Sequence, residues 1–205
     1  MMMRKSKKAA EALYDEAKSY LQCETPSYEK AIPLLEQAAD MGHVKAQYNL
    51  GICFHQGLGV TQSHETAYHY FVLSAQQEHP RAYYMLGCYF IFGLSVSPCE
   101  KQAAYYFQLA ADAGIADAQY DLGVLLLMGK ELPQSEEEAF RYFKLAADQG
   151  NGDAQYNLGV CYYQGVGVAA SNEEAIRYLE LAVKQGQPHA LKTLERVMMD
   201  AYKLK

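Results

Sequence analysis

Apolar side chains fall four apart in Lys45–Val60, KAQYNLGICFHQGLGV, where Ala46, Leu50 and Phe54 make one face of a helix. The pattern predicts a helix from about Val44 to Gln56. Gly57 stands where a left-handed C-cap is wanted, and Gly-x-Gly-Val then turns the chain. A second helix follows, from about His64 to Gln77, opened by Ser63. The same text returns at Asp153–Val168, DAQYNLGVCYYQGVGV, identical at eleven of sixteen positions and displaced by 108 residues. That offset is three times 36, and the period of 36 holds along the chain without insertion. Leu50-Gly51 recurs as Leu86-Gly87, Leu122-Gly123 and Leu158-Gly159, and Ala46 as Ala82, Ala118, Ala154 and Ala190. Each unit reads as two helices, A and B.

The caps and breaks sharpen that reading. The N-cap column of helix B is Ser27, Ser63, Cys99, Ser135 and Ser171, and a serine hydroxyl accepts a free backbone N–H there. Ser135 with Glu138, and Ser171 with Glu174, match capping boxes. Gly51, Gly87, Gly123 and Gly159 sit inside helix A, each at a cost of about 1 kcal/mol against alanine. A repeated cost implies a steric need, and the small Ala67 column of helix B is the expected close neighbour. Aromatic pairs such as Tyr70-Phe71, Tyr106-Phe107 and Tyr142-Phe143 are expected to fill the space between units. A unit cannot bury its apolar face alone, so stacking is obligatory.

The pattern A-x-x-x-L-G-x-x-Y-x-x-G-x-G-V, then A-x-x-Y-[YF]-x-x-A-A-x-x-G, resembles the Sel1-like repeat, a relative of the tetratricopeptide repeat. The resemblance implies an all-α fold, a right-handed α/α superhelical solenoid of 36-residue helix-turn-helix repeats with about eleven helices. Four units cover 44–79, 80–115, 116–151 and 152–187. Residues 9–43 form a degenerate N-terminal repeat, in which Tyr14 and Asp15 take the Leu-Gly columns and Pro33 kinks or delays helix B. Residues 188–205 read as a capping helix, in register as far as Ala190 and Leu194, and 1–8 as a disordered basic end. One continuous domain over 9–205 is expected. Ser95 and Glu131 replace the second turn glycine, and Glu78 replaces the glycine that ends helix B elsewhere, so altered turns are expected there.

Composition narrows the function. Half of the 205 residues are hydrophobic and the net charge is −6. Nucleic acid is not an expected partner, because the one basic cluster is Arg4, Lys5, Lys7 and Lys8. No apolar run follows that cluster and none is long enough to span a bilayer, so a cytoplasmic protein without membrane insertion is expected, a trimmed leader with periplasmic or secreted location being the alternative. The five cysteines lack ligand spacing or a disulfide framework, which favours reduced thiols and no metal. Cys53 and Cys161 lie in an apolar column and read as buried and inert.

Catalytic motifs are weak. Ser27-Tyr28-Glu29-Lys30 matches the S-x-x-K of penicillin-interacting enzymes, but its companion motifs are missing and Ser27 fills the N-cap column. A β-lactam or cell-wall hydrolase using Ser27 and Lys30 is therefore the runner-up reading. His64-Glu65 starts an H-E-x-x-H that Tyr68 ends, with His69 one position too far. Cys99, a thiol at a helix N-cap, supports a third reading as a redox-responsive regulator. No catalytic residue and no cofactor are assigned.

The main reading is a non-enzymatic adaptor that presents a concave groove to a protein or peptide partner. The resemblance puts helix A rows on the concave face. The candidates are Lys45, Tyr48, Ile52 and His55; Arg81, Tyr84, Cys88 and Ile91; Asp117, Tyr120, Val124 and Leu127; and Asp153, Tyr156, Val160 and Tyr163. The tyrosine column reads equally as groove or as packing between A helices. His55, Ile91, Leu127 and Tyr163 vary between units and are the sharper expectations. Basic residues early and acidic residues late would orient a partner. The expected state is a monomer or weak dimer.

Overall fold

The computed structural model describes residues 2–203. Among these there are eleven helices and no strand. They are α1 (Met2–Leu21), α2 (Tyr28–Asp40), α3 (Val44–Gln56), α4 (His64–Ala75), α5 (Pro80–Phe92), α6 (Glu100–Asp112), α7 (Ala116–Met128), α8 (Glu136–Asp148), α9 (Gly152–Gln164), α10 (Asn172–Lys184) and α11 (Ala190–Lys203). The chain divides into two compact units, residues 1–99 and 100–205. The boundary falls between helix A and helix B of the 80–115 repeat. No described helix is long and apolar enough to cross a membrane.

Helix A ends where its glycine stands. Gly57, Gly129 and Gly165 take left-handed φ, and the N–H of each donates to a carbonyl of the last turn, at Cys53, Leu125 and Cys161. Helix B starts at its serine: the N–H of Thr66, Glu138 and Glu174 donates to Oγ of Ser63, Ser135 and Ser171 (3.2, 3.4 and 3.3 Å). The capping boxes are only half made. The serine N–H groups donate to Leu126 and Tyr162 carbonyls at the end of helix A, so Glu138 and Glu174 turn to Arg141 and Arg177 instead. Ser27 holds the N-cap position with no side-chain cap bond.

The mid-helix glycines answer to a ring more than to a small residue. A Cβ on Gly51 would lie 2.5 Å from the Phe71 ring, and one on Gly123 would lie 2.8 Å from the Phe143 ring. At Gly159 the neighbour is Leu179, at 2.7 Å. The Ala67 column contributes its carbonyls, since Ala139 and Ala175 oxygens lie 3.2 Å from the same points. Phe71 and Phe143 thus fill their own repeat and are fully buried. Tyr70 lies over Phe54 at 5.8 Å and borders the cluster of Tyr14, Leu35, Leu50 and Cys53 that joins the first two repeats. In the second unit, Phe143, Leu158, Cys161 and Tyr178 form one cluster, and Leu179, Leu194 and Val197 another.

Several local expectations change. Residues 2–8 are the first turns of α1 rather than disordered, since Met, Arg, Lys and Ala propagate a helix back from buried Ala10. Pro33 lies inside α2 without delaying its start. Glu78 and Ser95 keep the left-handed φ of the glycines they replace (61° and 59°), so those turns are retained under strain. Ser95 is also anchored, its hydroxyl donating to the His64 carbonyl (3.4 Å). Glu131 does not adopt that φ, so its turn does differ. The register of α11 runs one turn further than expected, to fully buried Val197 in the column of Cys53 and Cys161. Met1, Leu204 and Lys205, at the ends of the expected terminal segments, lie outside the described residues.

Candidate functional site

Helix A carries one face into the core through Ala46, Leu50 and Cys53 and their equivalents. The face a third of a turn away is where the candidate residues stand. The Lys45 column (Lys45, Arg81, Asp117, Asp153) is exposed throughout, and the Tyr48, Ile52 and His55 columns are half-buried throughout.

The tyrosines pack and stay partly exposed. The Tyr48 ring lies 6.0 Å from Phe71 in its own repeat and 4.8 Å from His79, which N-caps the next helix A. Burial raises its phenol pKa, and the neighbouring Arg81 opposes that. Tyr120 lies 5.9 Å from Phe143, and burial, with Asp153 and Asp121, raises its pKa. Tyr156 reaches across to Thr193 (3.5 Å between hydroxyls).

Two of the sharper candidates are tied inward. His55 Nδ1 shares a hydrogen bond with Tyr89 Oη (3.0 Å), and its ring lies 5.3 Å from His64. Burial, and then the charge of His64, lower its pKa. Tyr89 is fully buried, and that burial pushes its phenol up to about 12. Tyr163 donates to Asp200 Oδ2 (2.6 Å), and the Arg196 guanidinium sits 5.4 Å from its ring. Ile91 and Leu127 are half-buried.

Each unit has a cavity that a Tyr48-column side chain lines. In the first, Tyr14, Lys45, Tyr48, Asn49, His79 and Arg81 line an open depression of about 220 Å³. His79 Nδ1 is buried with no hydrogen-bond partner. Burial lowers the His79 pKa, and Arg81 and Lys45 lower it further. In the second unit, Tyr156, His189, Lys192, Thr193, Glu195, Arg196, Met199 and Asp200 enclose about 490 Å³. The Lys45-column acids of that unit are already engaged: Asn151 Nδ2 donates to Asp117 (2.9 Å), and Gln187 Nε2 donates to Asp153 (2.6 Å).

The sequence reading missed a buried glutamine ladder. Gln47, Gln119 and Gln155 donate to the carbonyls of Ala39, Ala111 and Ala147 at the end of the preceding helix B. Their amide oxygens accept from Gln77, Gln149 and Gln185 at 2.8, 2.8 and 2.7 Å. The pairs stand 30 residues apart, and the 80–115 repeat lacks both members, with Tyr83 and Ala113 in their places. That joint loss was the available signal.

The chemistry-bearing motifs do not assemble. Ser27 and Lys30 share no hydrogen bond among the described residues, and the Lys30 ammonium lies over the Tyr20 ring at 5.5 Å. The five cysteines form no disulfide among the described residues. Cys99 is partly exposed, and burial pushes Cys53 and Cys161 up to about 11.

Known proteins share this frame. The chain matches a solved Sel1 repeat protein from Oxalobacter formigenes at 26% identity and TM-score 0.83, over 92% of this chain and 76% of that one. It matches c5321, a protective antigen of uropathogenic Escherichia coli strains with an SLR fold, at 26% identity and TM-score 0.86, over 93% of this chain and 42% of that one. Chitin synthase regulatory factor 2 of Schizosaccharomyces pombe is 50% identical over 42 residues, which is 20% of this chain and 8% of that protein. The chain thus spans a small part of that curated relative's length, and its match to a second, from Neisseria meningitidis, takes in 12% of that protein. The Sel1 repeat model matches residues 10–43, 44–79, 80–115, 116–151 and 152–187, and the chain belongs to the Sel1 repeat family.

Proposed function

We propose that this protein is a non-catalytic interaction module that docks protein partners on the helix A rows of its repeats. Sel1 repeat folds are generally protein–protein interaction scaffolds. The observation that carries the reading is the pair of surface cavities, one in each unit, each lined by a Tyr48-column side chain. A half-buried tyrosine already packed against the core is a rigid anchor, costly neither in entropy nor in desolvation. The exposed charges of the Lys45 column rim those anchors and supply selectivity.

The test is capture from source-cell lysate by the wild-type chain and by a rim variant, Lys45→Glu, Arg81→Glu and Asp153→Lys, matched for helicity. The reading expects specific partners to be lost from the rim variant and kept by Tyr105→Ser and Leu145→Ser, exposed positions on helices B. Partners lost only from the helix B variants would move the docking face there.

A further inference from the structure

The cavity of the first unit is chemically one-sided. Its lining residues are Lys45, Arg81, His79, Asn49, Tyr14 and Tyr48, and include no carboxylate. Among the described residues neither Lys45 nor Arg81 forms an ion pair. Glu11, which lines a neighbouring cavity with Lys7, His43 and Lys45, is engaged by His43 Nε2 (3.2 Å). His79 lies near both cations, its Nδ1 buried and without a hydrogen-bond partner, so the site gathers cationic and donor groups without a carboxylate of its own. This happens in a chain of net charge −6. A general attraction for polyanions is therefore absent, and any anion bound must find a local basic site.

We infer that this cavity binds the side-chain carboxylates of an acidic peptide segment running across helices α1, α3 and α5. The inference rests on the proposed docking role and names the partner's chemistry. Arg81 offers a planar fork that can hold a carboxylate by two hydrogen bonds, Lys45 a second cation, and Asn49 a neutral donor. The lining comes from three successive A helices, so a through-running chain meets it side-on with its side chains, rather than end-on with its terminus. The cavity, about 220 Å³, has room for side chains of such a segment.

The test uses fluorescein-labelled, C-terminally amidated hexaglutamate, with binding followed by anisotropy at low ionic strength. Saturable binding is expected, weakened about tenfold or more in the Lys45→Gln, Arg81→Gln variant. The same binding is expected to persist in Lys192→Gln, which alters the cavity of the other unit. Helicity of each variant is checked by circular dichroism. Absence of saturable binding, or binding indifferent to Lys45 and Arg81, overturns the inference. Equal binding of hexaglutamine with a free terminal carboxylate also overturns it, because the occupant would then be a chain end. Competition by inorganic phosphate at lower concentration than glutamate points to a phosphate ligand and overturns it too. If hexaglutamate fails while the rim variant still loses its lysate partners, the acidic occupant falls and the docking face stands.

Discussion

The two units share a frame and differ at its rim. Phe71 against Gly51 repeats as Phe143 against Gly123, and the Gln47–Gln77 pair repeats as Gln119–Gln149 and Gln155–Gln185. On the rim, the first unit sets Lys45 and Arg81 beside an imidazole nitrogen that has no partner. The second sets Asp117 and Asp153 at the same column and hydrogen-bonds each to an amide of the next N-cap position. Columns that pack are held by sterics, while the exposed column is free to change sign. Where Lys45 and His79 stand in place of the acid and the amide, that internal pairing is missing.

The comparison can be broken first at the frame. Phe71→Ala and Phe143→Ala each empty a fully buried site, and each is expected to cost about 3–5 kcal/mol in urea unfolding. Unequal costs would show that the frames differ. Replacing Gln119 or Gln155 by leucine strands a helix carbonyl and the partner amide, with an expected loss of about 1–3 kcal/mol. Glu78→Gly relieves a left-handed φ that glycine carries at the same position of the other repeats, and is expected to gain up to about 1 kcal/mol.

Acid should separate the units more gently. Five of the six histidines lie in residues 1–99, and His55 and His79 have folded pKa values below their ordinary one. The unfolded chain then takes up protons that the fold refuses. Their stability contribution is present at neutral pH and falls as pH drops through the ordinary histidine range, about 6.5, towards the folded values. Thermal melts should show the first unit weakening on acidification, and His55→Gln should flatten that slope. Asp153→Ala, on the exposed rim, is expected to move stability by no more than about 0.5 kcal/mol.

Much of the frame was legible because several signals agree at one place. Helix α3 runs from Val44 to Gln56 as the periodicity and Gly57 require, and Val197 merely extends the columns. Helix α4 stops at Ala75, two residues before the expected end. The identity of the ring over Gly51 was not legible. A side chain on a helix leans towards its N-terminus, so Phe71, one turn beyond Ala67, covers the glycine. The site was less legible than the frame. His55 reads as a free anchor until Tyr89, 34 residues on, is placed against it. The tyrosine column was open between groove and packing, and its half-burial in every repeat explains why one pattern serves both.

The most direct test of docking on helix A rows is site-resolved photo-crosslinking in source cells. A benzophenone side chain is placed at Ile52 or Val160 on helices A, or at Tyr105 or Leu145 on helices B. The account predicts that the same partner proteins crosslink from Ile52 or Val160 and not from Tyr105 or Leu145. Adducts confined to Tyr105 and Leu145 would contradict it.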